Sequence, residues 1–219
     1  AKDPADANRL TAMIGNDEFP SAIPLIRVNG RWHWDAAEGR YELLLRRVGG
    51  NELDAITVCR GYVEAQWQYA ALDPDKTGVR QYAQKIMSTA GKHDGLYWAP
   101  VAGGPESPIG DAVAKAIAQG YSATNTPQPY HGYYFKVLTA QGPSAPLGEM
   151  DFMVRGHMIG GFALIAWPAQ YRVSGVKTFM VGSAGLVYEQ DLGPDTVKLA
   201  AAITKFDPGK GWTVTNDAR

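Results

Sequence analysis

A single cysteine, Cys59, leaves this chain of 219 residues without an intramolecular disulfide. No apolar run is long enough to cross a bilayer. The longest, Met158 to Pro168, is well short of the roughly 20 residues a helical span needs, and it ends in proline. An excess of either charge is missing too: 21 Lys and Arg stand against 22 Asp and Glu, a formal net charge of −1. Without a basic surplus to displace counterions from a phosphate backbone, nucleic-acid binding is not the expected role. The four histidines, His33, His93, His131 and His157, lack the two- to four-residue spacing that sets two imidazoles on one metal. There is no G-x-S-x-G elbow to activate a serine and no glycine loop that cradles phosphate before a helix.

What is present points to a loop-rich globular chain. Hydrophobic residues make up 45%, and 25 glycines with 14 prolines supply many turns. A chain of this size buries about 70% of its unfolded surface, enough for a sizeable core without metals or disulfides. It opens on the polar Ala1-Lys2-Asp3-Pro4 without an initiator methionine, which fits a processed, exported protein or a shortened chain.

Residues 10–34 read as short strands. Asn29-Gly30 supplies the two positive-φ positions of a tight hairpin between Leu25–Val28 and Arg31–Trp34. Asp35 caps a helix, with Glu38 completing a capping box. Gly49-Gly50 is expected to break that helix, and Asn51 to cap the next. From Asn51 to about Leu72 two apolar stripes, one through Leu53, Ile56, Cys59, Val63, Trp67 and Ala70 and one through Ala55, Val58, Tyr62, Ala65, Tyr69 and Leu72, leave only a narrow strip wet at Asp54, Thr57, Gly61, Glu64 and Gln68. A short helix is expected over Gln81 to Met87, a Gly/Pro-rich loop over 89–108, a helix over Ile109 to Gln119 and a polar loop from Tyr121 to Pro129. From Gly132 the pattern turns to strands, with Phe162 to Trp167 a central one and Val176–Val181 and Leu186–Gln190 a hairpin. A final helix is expected from Pro194 to Lys205. Helices first and strands later indicate α+β: a long amphipathic helix on a mostly antiparallel C-terminal sheet, preceded by a small N-terminal β-hairpin module. Residues 1–35 form that hairpin segment, read as the remnant of a larger upstream module, and 36–219 the α+β domain.

Chemistry-bearing candidates are few. Asp73, Asp75 and Thr77, before Gly78, place oxygens at alternate positions as in the start of a Ca²⁺ loop. The twelfth position is the uncharged Gln84, so the expectation is a weak, partly hydrated site or a plain capped turn. His131 lies where a loop enters a strand, and with Glu149 or Asp151 it would form an acid–base pair. Tyr97, Trp98, Tyr130 and His131 are the candidate patch for a partner or ligand. Cys59 sits on the apolar stripe and reads as a core thiol.

Several stretches together carry a family resemblance: Asn29-Gly30-Arg31-Trp32, Asn51-Glu52-Leu53-Asp54-Ala55-Ile56, Asp94-Gly95-Leu96-Tyr97-Trp98, Tyr130-His131-Gly132-Tyr133-Tyr134-Phe135 and Asp191-Leu192-Gly193-Pro194. The combination resembles the bacterial family catalogued as domain of unknown function 2950, in order from about Thr11 to Trp212. The resemblance implies an exported protein of the Gram-negative envelope, periplasmic or extracellular, with no assigned reaction and no catalytic residue to carry over. Members often have a more acidic loop after the long helix, from which this chain departs at Thr77. In architecture the stretch from Asn51 through the later strands also resembles the globular part of type II pseudopilins, a pilin-like arrangement. The function expected is non-enzymatic binding or assembly with a protein partner or a second copy in the envelope. The alternatives are an envelope hydrolase built on His131, and a calcium-stabilised structural subunit.

Overall fold

The computed structural model describes residues 6–74, 76, 78–110 and 129–216. The architecture is α+β, with a long helix, a C-terminal antiparallel sheet of five strands and an N-terminal hairpin. The chain forms two compact units, one through Gly50 and one from Asn51 onward.

The first unit is built from very short strands. β1 (Arg9–Leu10), β4 (Leu25–Val28) and β5 (Arg31–Trp34) make a three-stranded sheet in the order β1-β4-β5, and β2 (Met13–Ile14) pairs with β3 (Phe19–Pro20). The β4–β5 turn has Asn29 at φ 51° and Gly30 at φ 78°, the two left-handed positions that match the twist of the flanking strands. Asp35 then caps α1 (Ala36–Leu72), its Oδ1 accepting from the amides of Ala37 at 3.1 Å and Glu38 at 3.0 Å. The return half of the expected capping box does not form. The Asp35 amide donates to the Pro24 carbonyl, and Glu38 instead makes a two-pronged ion pair with Arg9 at 2.5 Å. Gly39 lies so close to Ile23 that a Cβ would sit 2.7 Å from its side chain, which holds the first helical turn against the chain before it.

Gly49-Gly50 does not end the helix, which runs unbroken through both residues. Each glycine weakens a helix by about 1 kcal/mol without forbidding it. Asn51 is therefore mid-helix and caps nothing.

In the second unit β9 (Ala140–Gln141) pairs with β10 (Met150–Asp151) and β11 (Met153–Val154) with β12 (His157–Met158). The main sheet order is β16 (Thr213–Val214), β15 (Val187–Asp191), β14 (Lys177–Gly182), β13 (Ala163–Pro168), β8 (Tyr133–Leu138), every neighbour antiparallel. β13 is central and buried along its whole length, as its unbroken apolar run requires. Register puts Lys136, Ile165 and Met180 on one face and Phe135, Ala166 and Phe179 on the other. On the Lys136 side, the ammonium donates to the Ala201 carbonyl of α2 (Thr196–Ala202) at 2.6 Å. Ile56, Cys59, Tyr62 and Val63 of α1 join one core with Phe135, Leu164 and Phe179, and the Tyr62 ring meets Phe162 edge-on at 5.7 Å. The wet strip foreseen at Asp54, Thr57, Gly61, Glu64 and Gln68 is exposed, but so are Leu53, Trp67 and Leu72 of the apolar stripes, so the wet part of the helix is wider than expected.

Lys85–Met87 departs from expectation. It is a strand, β6, pairing in parallel with β7 (Gly95–Tyr97) rather than part of a short helix. Gly95 allows the approach, since a Cβ there would lie 2.7 Å from the Met87 backbone. The helix expected over Ile109 to Gln119 and most of the following loop lie outside the described residues. The last helix is α2, shorter at both ends than expected.

Candidate functional site

The tight turn entering β8 sets His131 in place. Tyr130 and Tyr133 exchange backbone hydrogen bonds at 2.9 Å, with His131 at φ 44° and Gly132 at φ 74° between them. His131 Nδ1 lies 2.5 Å from Asp54 Oδ2 on the wet strip of α1, and the Tyr130 ring stacks on the imidazole with centroids 4.1 Å apart. Both partners of this contact remain half exposed. The expected carboxylates are elsewhere. Glu149 pairs with Lys205, and Asp151 Oδ1 accepts from the Met153 amide at 2.8 Å. The carboxylate beside His131 is therefore one from the helix.

Two other side chains of the same helical turns dock on the β13–β14 connection. Asn51 Nδ2 donates to the Ser174 carbonyl at 2.8 Å. Glu52 Oε1 accepts from the amides of Val176 at 2.8 Å and Lys177 at 3.0 Å. Asn51 and Glu52 thus both hold the β13–β14 connection, and Asp54 holds the turn before β8. The sequence marked Asn51 only as a helix cap, and Glu52 and Asp54 only by their polarity on a largely apolar helix.

A cavity of about 340 Å³ lies along the wet strip, lined by Thr57, Gly61, Glu64, Gln68, Leu96 and Tyr130 among others. Glu64 is the sole ionisable carboxylate among its described lining residues, so the pocket brings together no acid–base set there.

The proposed partner patch is divided. Trp98 is buried, its Nε1 donating to the Pro105 carbonyl at 2.9 Å and its ring 4.6 Å from that of His93. It packs as core and offers no docking surface. Tyr97 and Tyr130 are half-buried, and only His131 is exposed. Asp94, next to His93, accepts from Lys85 at 2.9 Å, from the Thr89 amide at 2.7 Å and from its hydroxyl at 2.8 Å. Burial pushes its carboxyl up, but those hydrogen bonds and the lysine charge outweigh it and lower the pKa to about 2.

Of the calcium candidates, Asp75 and Thr77 lie outside the described residues. Asp73 Oδ2 accepts from the Gly78 amide at 2.7 Å, the bond of a capped turn. No group of three metal-ligating side chains occurs among the described residues. Cys59 is buried, and desolvation raises its thiol to about 12. No helix among the described residues is long and apolar enough to cross a membrane.

The surface that sequence reading missed lies in the first unit. Ile14 and Phe19, opposite each other across β2–β3, are 58% and 59% exposed, and Trp32 and Trp34 on β5 are 41% and 56% exposed. Arg46 lies over the Phe19 ring at 5.1 Å, donates to the Pro20 carbonyl at 2.8 Å and pairs with Glu42 at 2.8 Å. A groove of about 350 Å³ beside them is lined by Pro20, Tyr41, Leu45, Arg46 and the Arg9–Glu38 pair. Two- to four-residue strands offer little to bury such side chains, and no second layer among the described residues covers them.

Comparison with the curated proteins and with the solved structures returns no match. The family model described as "Protein of unknown function (DUF2950)" matches residues 2–215, and the chain belongs to that family.

Proposed function

We propose that the protein is an exported component of the cell envelope that binds or assembles with another molecule, using the surface of residues 6–50. One observation carries this reading: large apolar side chains cluster exposed on that unit, with Phe19 and the Tyr41–Leu45 groove joined through Arg46. Exposed apolar surface of this kind marks an interaction site. The carboxylates of the second unit support the same reading, since Glu52, Asp94, Asp151 and Glu149 each serve a structural partner. A long helix beside an antiparallel sheet is also the ground for the pilin-like reading, which remains a proposal about shape.

The test is fractionation of native cells followed by native mass determination of the extracted protein. An envelope fraction with a discrete complex, lost on Phe19→Ser with Leu45→Ser, is the expected result. A cytoplasmic, monomeric protein with nothing bound overturns the reading.

The His131–Asp54 contact favours one alternative, a hydrolase in which Asp54 orients the imidazole and Nε2 acts as general base. Activity against ester or amide probes that vanishes in both His131→Gln and Asp54→Asn would establish it. Equal, background rates in all three proteins dispose of it.

A further inference from the structure

Alternation along β5 places Trp32 and Trp34 on one face of the three-stranded sheet. Register adds Leu25, opposite Trp34, and Arg27, opposite Trp32. Residues two apart on a strand are about 6.8 Å apart, so the indoles form a short row on a rigid surface. The Arg27 guanidinium lies 6.0 Å from the Trp32 ring centroid. The hairpin from Leu25 to Trp34 carries no carboxylate, and Arg27 is the cation on the tryptophan face, since alternation puts Arg31 and His33 on the opposite one. Neither arginine has an acidic partner among the described residues, in contrast to Arg9 and Arg46, which pair with Glu38 and Glu42.

We propose that this face binds an acidic glycan, a chain of pyranose rings bearing carboxylates. The proposal rests on the binding role above and names its ligand class. Sugar rings present flat sheets of C–H bonds that stack on indole faces, which indoles on a half-exposed strand are free to receive. The Arg27 guanidinium can pair with a carboxylate in two-pronged geometry, and no carboxylate of the hairpin itself opposes an acidic sugar. The observations favour this ligand over a bilayer, because the hairpin tip that would enter first is the polar Asn29-Gly30-Arg31. They favour it over single-stranded nucleic acid because Arg27 can clamp one uronate carboxylate beside the stacked rings but makes no basic groove along a phosphate backbone.

The experiment is electrophoresis of the native chain through gels containing polygalacturonate or neutral hydroxyethylcellulose. Binding to oligo-dT and to phosphatidylglycerol vesicles is followed in parallel by tryptophan fluorescence. Polygalacturonate should retard the protein most. Trp32→Ala and Trp34→Ala should each weaken that binding about tenfold while the melting curve stays cooperative. Arg27→Gln should remove the preference for the acidic polymer over the neutral one. Retardation unchanged in the double tryptophan variant, or saturable binding to oligo-dT or vesicles alone, overturns the proposal. If neither polymer is bound but the envelope complex persists, the glycan assignment fails and the binding role stands.

Discussion

Replacing Gln66 by Leu removes an amide that is fully buried and fully used. Its Nε2 donates to the Ala83 carbonyl at 2.8 Å and the Tyr62 hydroxyl at 2.9 Å, while Oε1 accepts from the Ala83 amide at 2.8 Å. Together these bonds fasten α1 to the segment before β6 much as a neighbouring strand would. In the variant both backbone groups of the buried Ala83 lose their partner, at a cost of about 1–3 kcal/mol each. The apolar leucine recovers part of this through burial, so the net loss is about 3 kcal/mol. For a protein of this size that lowers Tm by about 6–12 °C. Guanidinium unfolding followed by tryptophan fluorescence reads the loss as a fall in midpoint at constant slope. Gln66→Glu gives a sharper check. As a carboxylate it opposes the Ala83 carbonyl, whereas as a neutral acid it can donate to it, so burial and this bond raise its folded pKa. Its deficit should therefore be smallest in acid, below the unfolded value, and grow as pH rises through the folded value. A loss under 1 kcal/mol in Gln66→Leu, or a pH-independent deficit in Gln66→Glu, would refute the latch.

Other expectations follow from single contacts. Asp94 is depressed from 3.8 to about 2, so its contribution is complete above the unfolded value and disappears as pH falls through that window. The full shift corresponds to about 2.4 kcal/mol, which partial exposure reduces to about 1 kcal/mol. Asp94→Asn should lose that much at pH 7 and flatten the acid limb of a stability–pH curve. Gly175→Ala drives a methyl into the buried Tyr133 hydroxyl and ring edge, a clash worth about 3 kcal/mol; adding Tyr133→Phe should recover part of it in a double-mutant cycle. Cys59, raised to about 12, should resist a thiol reagent at pH 8 until denaturant is added, and rapid labelling of the native chain would contradict its burial. EDTA should leave Tm unchanged, since the Asp73 carboxylate already caps its own turn; a drop would place a cation in that loop.

Much of the scaffold was legible because its signals are local. Asn29-Gly30 adopts left-handed angles within the turn itself, and the apolar stripe of α1 and the unbroken run of β13 follow from repeat periods inside one segment. Gly49-Gly50 misled because glycine's cost is small beside a helix already propagated on both sides. Lys85–Met87 misled because its partner, β7, is a separate segment that no periodicity in residues 81–87 announces.

Partners of polar groups were the part only the tertiary structure decided. Glu38 was placed by its spacing from Asp35, yet Pro24 occupies the Asp35 amide and Arg9 takes the carboxylate. His131 was marked by its position before a strand, yet its acid is Asp54, 77 residues away and on another element. Trp98 read as a surface aromatic, and Pro105 and His93 cover it; Trp32 and Trp34 read as hairpin arms, and both stay about half exposed. Amino-acid order alone settles where the chain turns and which stripe is greasy, because those depend on neighbours a few residues away. Which charge meets which, and which aromatic stays wet, depends on how distant segments stack, and that is set only when the layers close.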